Sequence, residues 1–225
     1  MKTHMTKLKK TVSFAFALAL LPAAALLTGC ASTATSESAE GWEVLFERGD
    51  DLSKWRIAEN PGSVRIEDGY IVCNGERAHA FYIGEEGETP IWNNFEAEIE
   101  FMTAENTNGG LFFHTAWQEK GWPRPGLECQ INVSHEDPRK TGSVYAFGDI
   151  AEPGHEDGEW VTLRLQVIDK TVTVWVDGKQ TNQWTQPDDH KLKKKRLGEG
   201  TFALQAHDPE SVFTVKSLKV RHLSD

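Results

Sequence analysis

Helical spacing is almost absent from these 225 residues, which leaves strands to build the fold. Cysteine is scarce: Cys30, Cys73 and Cys129 are the three, with no CxxC pair and no Cys/His cluster, so nothing suggests structural zinc. Positive charge is short as well. Lys and Arg number 24 against 34 acids, for a formal charge of -10. Four lysines and no acid lie in residues 1–29, so the chain beyond them stands at -14. That balance argues against nucleic acid and against a general attraction to anionic phosphates. Neutral sugars and metal cations remain compatible with it. No internal repeat of propeller type is visible, and there is one long apolar run, residues 12–27.

That run has a charged head and a specific end. Lys2, Lys7, Lys9 and Lys10 precede it, and Leu27-Thr28-Gly29-Cys30 closes it. A basic head, an apolar middle and small residues at the cut make a secretory signal over residues 1–29. A cysteine at the cut makes it a lipoprotein signal, with Cys30 the acylated residue. More than one acyl chain is what stable membrane anchoring requires. The run is slightly short for a spanning helix. Ala31 and Ser32 follow, with no Asp at the second position, which points to the outer membrane of a Gram-negative envelope. The small polar residues after Cys30, to residue 40, read as a flexible tether. Residues 41–225 are long enough for one domain with its own core.

Alternation at period two runs through that domain. Phe95 to Phe101, Leu127 to Val133, Val161 to Val167, Val172 to Val176, Phe202 to His207 and Val212 to Lys216 each place apolar residues on one face. Shorter strands are expected at Val64–Ile66, Tyr70–Asn74, Ala80–Ile83 and Leu111–Thr115. Asp177-Gly178 is a hairpin turn signal. Short strands with one apolar face and Gly/Asp/Asn/Pro turns predict an all-β fold, a two-sheet antiparallel β-sandwich. The longest irregular stretches, about 116–126, 134–158 and 185–199, are of a length that usually serves function. Cys73 and Cys129 sit in strand-like runs and are expected as buried free thiols, with a single bridge as the alternative.

Strand parity sorts the polar residues. If Leu127, Cys129 and Ile131 face the core, Glu128, Gln130 and Asn132 face out. By the same rule Phe112 and His114, Gln205 and His207, and Glu96, Glu98 and Glu100 face out. Outward polar residues suit any solvated sheet, but a mid-strand Gln beside Glu or His suits a hydrogen-bonding site. His114 and His207 are candidate bases or ligands. His114, His207, Glu128 and Glu100 have the donor types of a divalent metal site. Trp117 and Trp122 lie in one loop and suit stacking on a sugar ring or plugging the core. Lys191 to Arg196 read as a solvated basic loop, with anionic lipid or glycan as a contact. Glu96, Glu98 and Glu100 resemble the catalytic strand of retaining β-glucanases, which need a nucleophile and an acid about 5 Å apart, although the central residue there is normally Asp.

Six segments in order carry a wider resemblance: Asn108 to His114, Gly126 to Ile131, Thr141 to Tyr145, Gly158 to Trp160, Asp177-Gly178, and Gly200 to His207. Together, over about residues 41–221, they resemble the 3-keto-disaccharide hydrolase domain family. That family has the concanavalin A-like jelly roll of lectins and glucanases. Departures exist: His114 stands where the family usually has Arg, and Leu127 where it has an aromatic. Asn132-Val133 and Trp160-Val161 also differ from the common pattern.

The resemblance implies cleavage of 3-keto-glycosides or 3-keto-disaccharides. A ketone at C3 acidifies the C2 proton; a base removes it, the C1 leaving group departs, and water adds back. Glu128 or His207 would be the base, and His114, or a divalent metal held by these residues, would polarise the ketone. Gln130, Gln205, Asn132, Trp117, Trp122 and Tyr145 would bind sugar. The alternative is a non-catalytic, lectin-like sugar-binding module of the cell envelope.

Overall fold

The computed structural model describes residues 41–85 and 88–224. The expected signal peptide (1–29) and the lipidated Cys30 with its tether (30–40) lie outside the described residues.

Thirteen strands follow one another: β1 (Glu43–Glu47), β2 (Trp55–Glu59), β3 (Val64–Glu67), β4 (Tyr70–Cys73), β5 (Ala78–Tyr82), β6 (Phe95–Thr103), β7 (Gly109–Thr115), β8 (Leu127–Ile131), β9 (Val161–Ile168), β10 (Thr171–Val176), β11 (Lys179–Thr185), β12 (Thr201–Ala206) and β13 (Phe213–His222). They form two sheets. The larger, of eight strands, runs β11-β10-β9-β6-β13-β4-β3, with β1 also on β13; the smaller, of five, runs β2-β5-β12-β7-β8. Every pairing is antiparallel. The all-β sandwich expected from alternation is what the chain adopts.

Alternation sets which face is buried. On β9, Val161, Leu163, Leu165 and Val167 are at most 1% exposed, while Thr162, Arg164 and Gln166 are half-buried on the other side. β13 departs from strict period two: Val215 and Leu218 are both buried, three apart, because a register shift between Val215 and Ser217 resets the face. The smaller sheet contributes Leu111, Phe113, Cys129, Ile131, Phe202 and Leu204 to the shared core. Each such side chain contributes about 1.5–3 kcal/mol of burial. Cys73 and Cys129 are free and buried, and burial pushes both thiols up, Cys129 to about 12.

The three carboxylates of β6 have a structural role. On the outer face of the larger sheet Glu96 accepts from Arg221 (2.9 Å), Glu98 pairs with Lys219 (2.7 Å) and Glu100 accepts from Lys216 (2.7 Å). Each partner comes from the neighbouring β13. This removes the glucanase resemblance and corrects one expectation. The strand is a cross-strand charge ladder rather than a glucanase-type catalytic strand, and Glu100 is on the other sheet from Glu128, His114 and His207.

Candidate active site

The outward face of the smaller sheet carries the site. Cross-strand pairing sets Phe112 opposite both Ala203 and Glu128, Gly110 opposite Gln130, and His79 opposite Gln205. Of these, Phe112, Glu128, Gln130 and Gln205 form the floor of a cavity of about 270 Å³. Loops raise its walls: Trp122 and Pro123 between β7 and β8, Tyr145 after β8, and Lys195 between β11 and β12. His207 closes one end just past β12, and Asn108 lies just before β7.

Glu128 is the unusual group. Burial pushes its carboxyl up to about 8; Asp137 adds to the rise, while Lys195 and a hydrogen bond from Gln205 oppose it. Desolvation thus keeps the acid protonated at neutral pH. Its side chain lies over Gly110, where a Cβ would come within 2.9 Å of Glu128 Cγ. Gln130 lies beside it, and its amide nitrogen turned inward sits 3.3 Å from Glu128 Oε1.

His207 is held by its neighbour. Its Nδ1–H donates to Asp208 Oδ2 at 2.6 Å, and that oxygen also accepts from Ser211 Oγ at 2.9 Å. Asp208 Oδ1 accepts from the N–H groups of Glu210 and Ser211, each at 2.9 Å. Burial alone would raise Asp208, but the hydrogen bonds from His207, Ser211 and Glu210 outweigh it and hold the carboxyl low. A carboxylate on Nδ1 fixes the tautomer and leaves Nε2 as the lone-pair nitrogen.

The walls are braced. Gln118 Nε2 donates to the carbonyls of Lys120 (2.8 Å), Gly121 (2.8 Å) and Trp122 (2.9 Å), and Arg124 N–H donates to Gln118 Oε1 at 2.8 Å. Glu59 accepts from Arg77 at 2.9 and 2.8 Å and from Gly121 N–H at 2.9 Å; Arg77 chiefly holds its carboxyl at about 2. Trp122 thereby stands 5.6 Å from the His207 ring and 5.5 Å from His79. Tyr145 O–H donates to Asp137 Oδ2 at 3.2 Å.

Of the residues singled out by sequence, Glu128, Gln130, Gln205, His207, Trp122 and Tyr145 come together here. Four do not. His114 has φ 53°, and this left-handed turn breaks the parity that would aim it outward. Its ring instead packs edge-on to Phe95 and Phe113; Nε2–H donates to the Asn93 carbonyl at 2.8 Å and Nδ1 accepts from Gly198 N–H at 3.1 Å. Burial lowers it to about 4. Asn132 is buried and ties its own loop, donating to the carbonyls of Asp137 (3.0 Å) and Arg139 (2.8 Å). Trp117 packs on Phe81 with the Arg56 guanidinium 3.9 Å above its ring. Glu100 is on the other sheet. The expected metal set therefore does not assemble, and no group of three His, Cys, Asp or Glu among the described residues is placed to hold an ion.

The structure adds Lys195, Asp208, Asn108, Phe112 and Gly110. It also adds His79, a fully buried imidazole packed edge-on against Phe112 and Trp122, which burial lowers to about 4. Only long-range pairing reveals most of these. Asp208, adjacent to His207 in sequence, was the one legible there.

The fold is an antiparallel β-sandwich with a polar pocket on its smaller sheet, and its family makes it a carbohydrate-active, glycosyl hydrolase-like domain. The chain belongs to the family of the 3-keto-alpha-glucoside-1,2-lyase-like domain, whose model matches residues 41–221. Two proteins of Parabacteroides distasonis ATCC 8503, solved as candidate glycosyl hydrolases, have the same fold. One superposes with a TM-score of 0.67 at 22% identity, over 83% of this chain and 95% of its own; the other with 0.61 at 20%, over 81% and 99%. A galectin-like protein from Bacillus subtilis aligns at 0.55 and 12% identity, over 80% and 96%. No curated protein matches the chain significantly.

Proposed function

We propose that this domain cleaves 3-keto-glycosides by abstraction of the C2 proton, elimination of the C1 substituent and hydration of the resulting enone. The observation that carries the reading is the pairing, in one pocket, of a carboxyl held protonated near neutral pH with a carboxylate-oriented imidazole. A carboxyl kept protonated by burial and an imidazole oriented by Asp208 supply an acid and a base to one pocket.

His207 Nε2 takes the C2 proton. The electron pair moves into the ketone, and the enolate oxygen is met by the Lys195 ammonium and the Gln205 amide. As the enolate collapses, the C1–O bond breaks and Glu128 gives its proton to the departing oxygen. For hydration the roles reverse. Glu128, now a carboxylate, takes a proton from water as its oxygen attacks C1, and the His207 imidazolium returns a proton to C2. Trp122 and Tyr145 flank the sugar, and Phe112 lies under it.

The domain acts, in this reading, outside the cytoplasm on a lipid anchor at Cys30, which the signal features of residues 1–29 support. A chain that takes up no labelled palmitate in a Cys30-dependent manner would remove the anchor from the account.

The test is turnover of 3-keto-trehalose and 3-keto-glucosides by the soluble domain from residue 41, beside Glu128→Gln and His207→Gln. Free 3-keto-glucose from the wild type and none from either variant supports the reading. Sugar binding by calorimetry without turnover would instead leave a lectin-like module.

A further inference from the structure

Beside the pocket lies a second cleft, of about 310 Å³, lined by Arg124, Leu192, Lys193, Lys194 and Lys195. Lys195 lines both. The basic loop, expected to be solvated with anionic lipid or glycan as a contact, is docked near the pocket mouth. Gly126 N–H at the start of β8 donates to the Lys194 carbonyl at 3.1 Å, the His190 ring is 2.6 Å from the Lys195 carbonyl, and Leu197 N–H donates to the buried Gln186 side chain at 2.8 Å.

The charges of this cleft are uncompensated. Arg124, Lys193 and Lys194 have no carboxylate partner among the described residues, although the chain carries ten more acids than bases. The nearby Asp188 is turned to Lys170. The carboxylate that faces Lys195 is Glu128, which its burial keeps protonated. Packing four cations without counter-charges raises a positive potential at one spot of an acidic domain, and a cleft with low-dielectric walls focuses such a potential. Leu192, 52% exposed, and the lysine stems make the same cleft partly apolar.

We infer that the leaving group of the substrate is anionic: an aglycone with an apolar body and a carboxylate or other acid group, seated in the Arg124/Leu192/Lys193–Lys195 cleft while the keto sugar occupies the pocket. This deepens, and rests on, the glycoside-cleaving reading. Lys195 lines both cavities, which places the cleft beside the sugar pocket and favours a substrate over a membrane surface.

The test compares two nearly isosteric probes, the 4-carboxyphenyl and 4-carbamoylphenyl 3-keto-glucosides, with the soluble domain. The carboxylate should be favoured in kcat/KM by roughly fivefold or more at low salt, the size of one or two screened charge pairs. The ratio should fall towards one at high salt and in Lys193→Glu/Lys194→Glu. Equal rates for the two probes would overturn the inference and leave the glycoside-cleaving reading standing. If neither is cleaved, that reading fails, and the same ratio measured as calorimetric affinities decides this one. Equal affinities, with variant-sensitive binding to phosphatidylglycerol vesicles, would assign the cleft to an anionic lipid surface instead.

Discussion

The side chain of Glu128 lies over Gly110 on the neighbouring strand, at the one point on that face where a Cβ would displace it. Glycine here is steric rather than conformational, because its backbone is ordinary strand. Gly110→Ala should move the carboxyl by about an ångström and lower kcat/KM roughly 100-fold, with a much smaller effect on thermal stability. Kinetics and a melting curve on the same variant check this; an unimpaired rate would mean that Glu128 can be shifted without harm.

Proton affinity at Glu128 links activity to stability. The folded carboxyl sits at about 8 against the ordinary glutamate value of 4.5. Below pH 4.5 both folded and unfolded chains hold the proton and there is no penalty. Between pH 4.5 and 8 the unfolded chain releases it first, so this group's contribution to stability falls as pH rises and levels off above 8. Relative to wild type, Glu128→Gln should therefore gain in melting temperature from pH 5 to pH 8. As the acid in elimination, Glu128 should also make kcat fall above about pH 8. A melting difference that does not change with pH would remove both expectations.

Asp208 touches no substrate in this account; it positions His207. Asp208→Asn replaces an acceptor that fixes Nδ1–H with a group that also tolerates the other tautomer. The expected result is a fall in kcat of about 100-fold or more with KM within a fewfold, as for other carboxylate-oriented imidazoles. Steady-state kinetics separates the two; a change confined to KM would make Asp208 a binding residue.

His114 gives the opposite pattern. Its two ring nitrogens are satisfied by Asn93 and Gly198, away from the pocket. His114→Ala should cost about 2–4 kcal/mol through lost packing and two unpaired backbone groups. The fraction that remains folded should turn over at near the wild-type kcat. Denaturant unfolding and active-site-normalised rates distinguish this from a catalytic role.

Alternation made the sandwich and half the site legible. Leu127-Glu128-Cys129-Gln130-Ile131 and Leu204-Gln205-Ala206-His207 place their polar members outward because the pleat has period two. The same rule failed at His114, where a non-glycine residue in the left-handed region reverses direction, and no sequence pattern signals that. It also failed past the strand end at Asn132, whose loop folds back on it. β11 escaped notice because Lys179–Thr185 is a largely polar edge strand with little apolar contrast. Lys195 and Gly110 acquire meaning only from partners brought close by pairing and loop docking, which spacing along the chain does not encode.

The central claim is that cleavage proceeds through loss and return of the C2 proton. Cleavage of a 3-keto-glucoside in deuterium oxide, followed at once by NMR of the 3-keto-glucose formed, reads this directly. The account predicts one deuterium at C2 of the product beyond the non-enzymatic exchange of substrate and product controls, and loss of product formation in His207→Gln. Product that retains its original proton at C2, with no primary isotope effect on kcat/KM for the C2-deuterated substrate, would show displacement at C1 without elimination, and would contradict the mechanism proposed for His207 and Glu128.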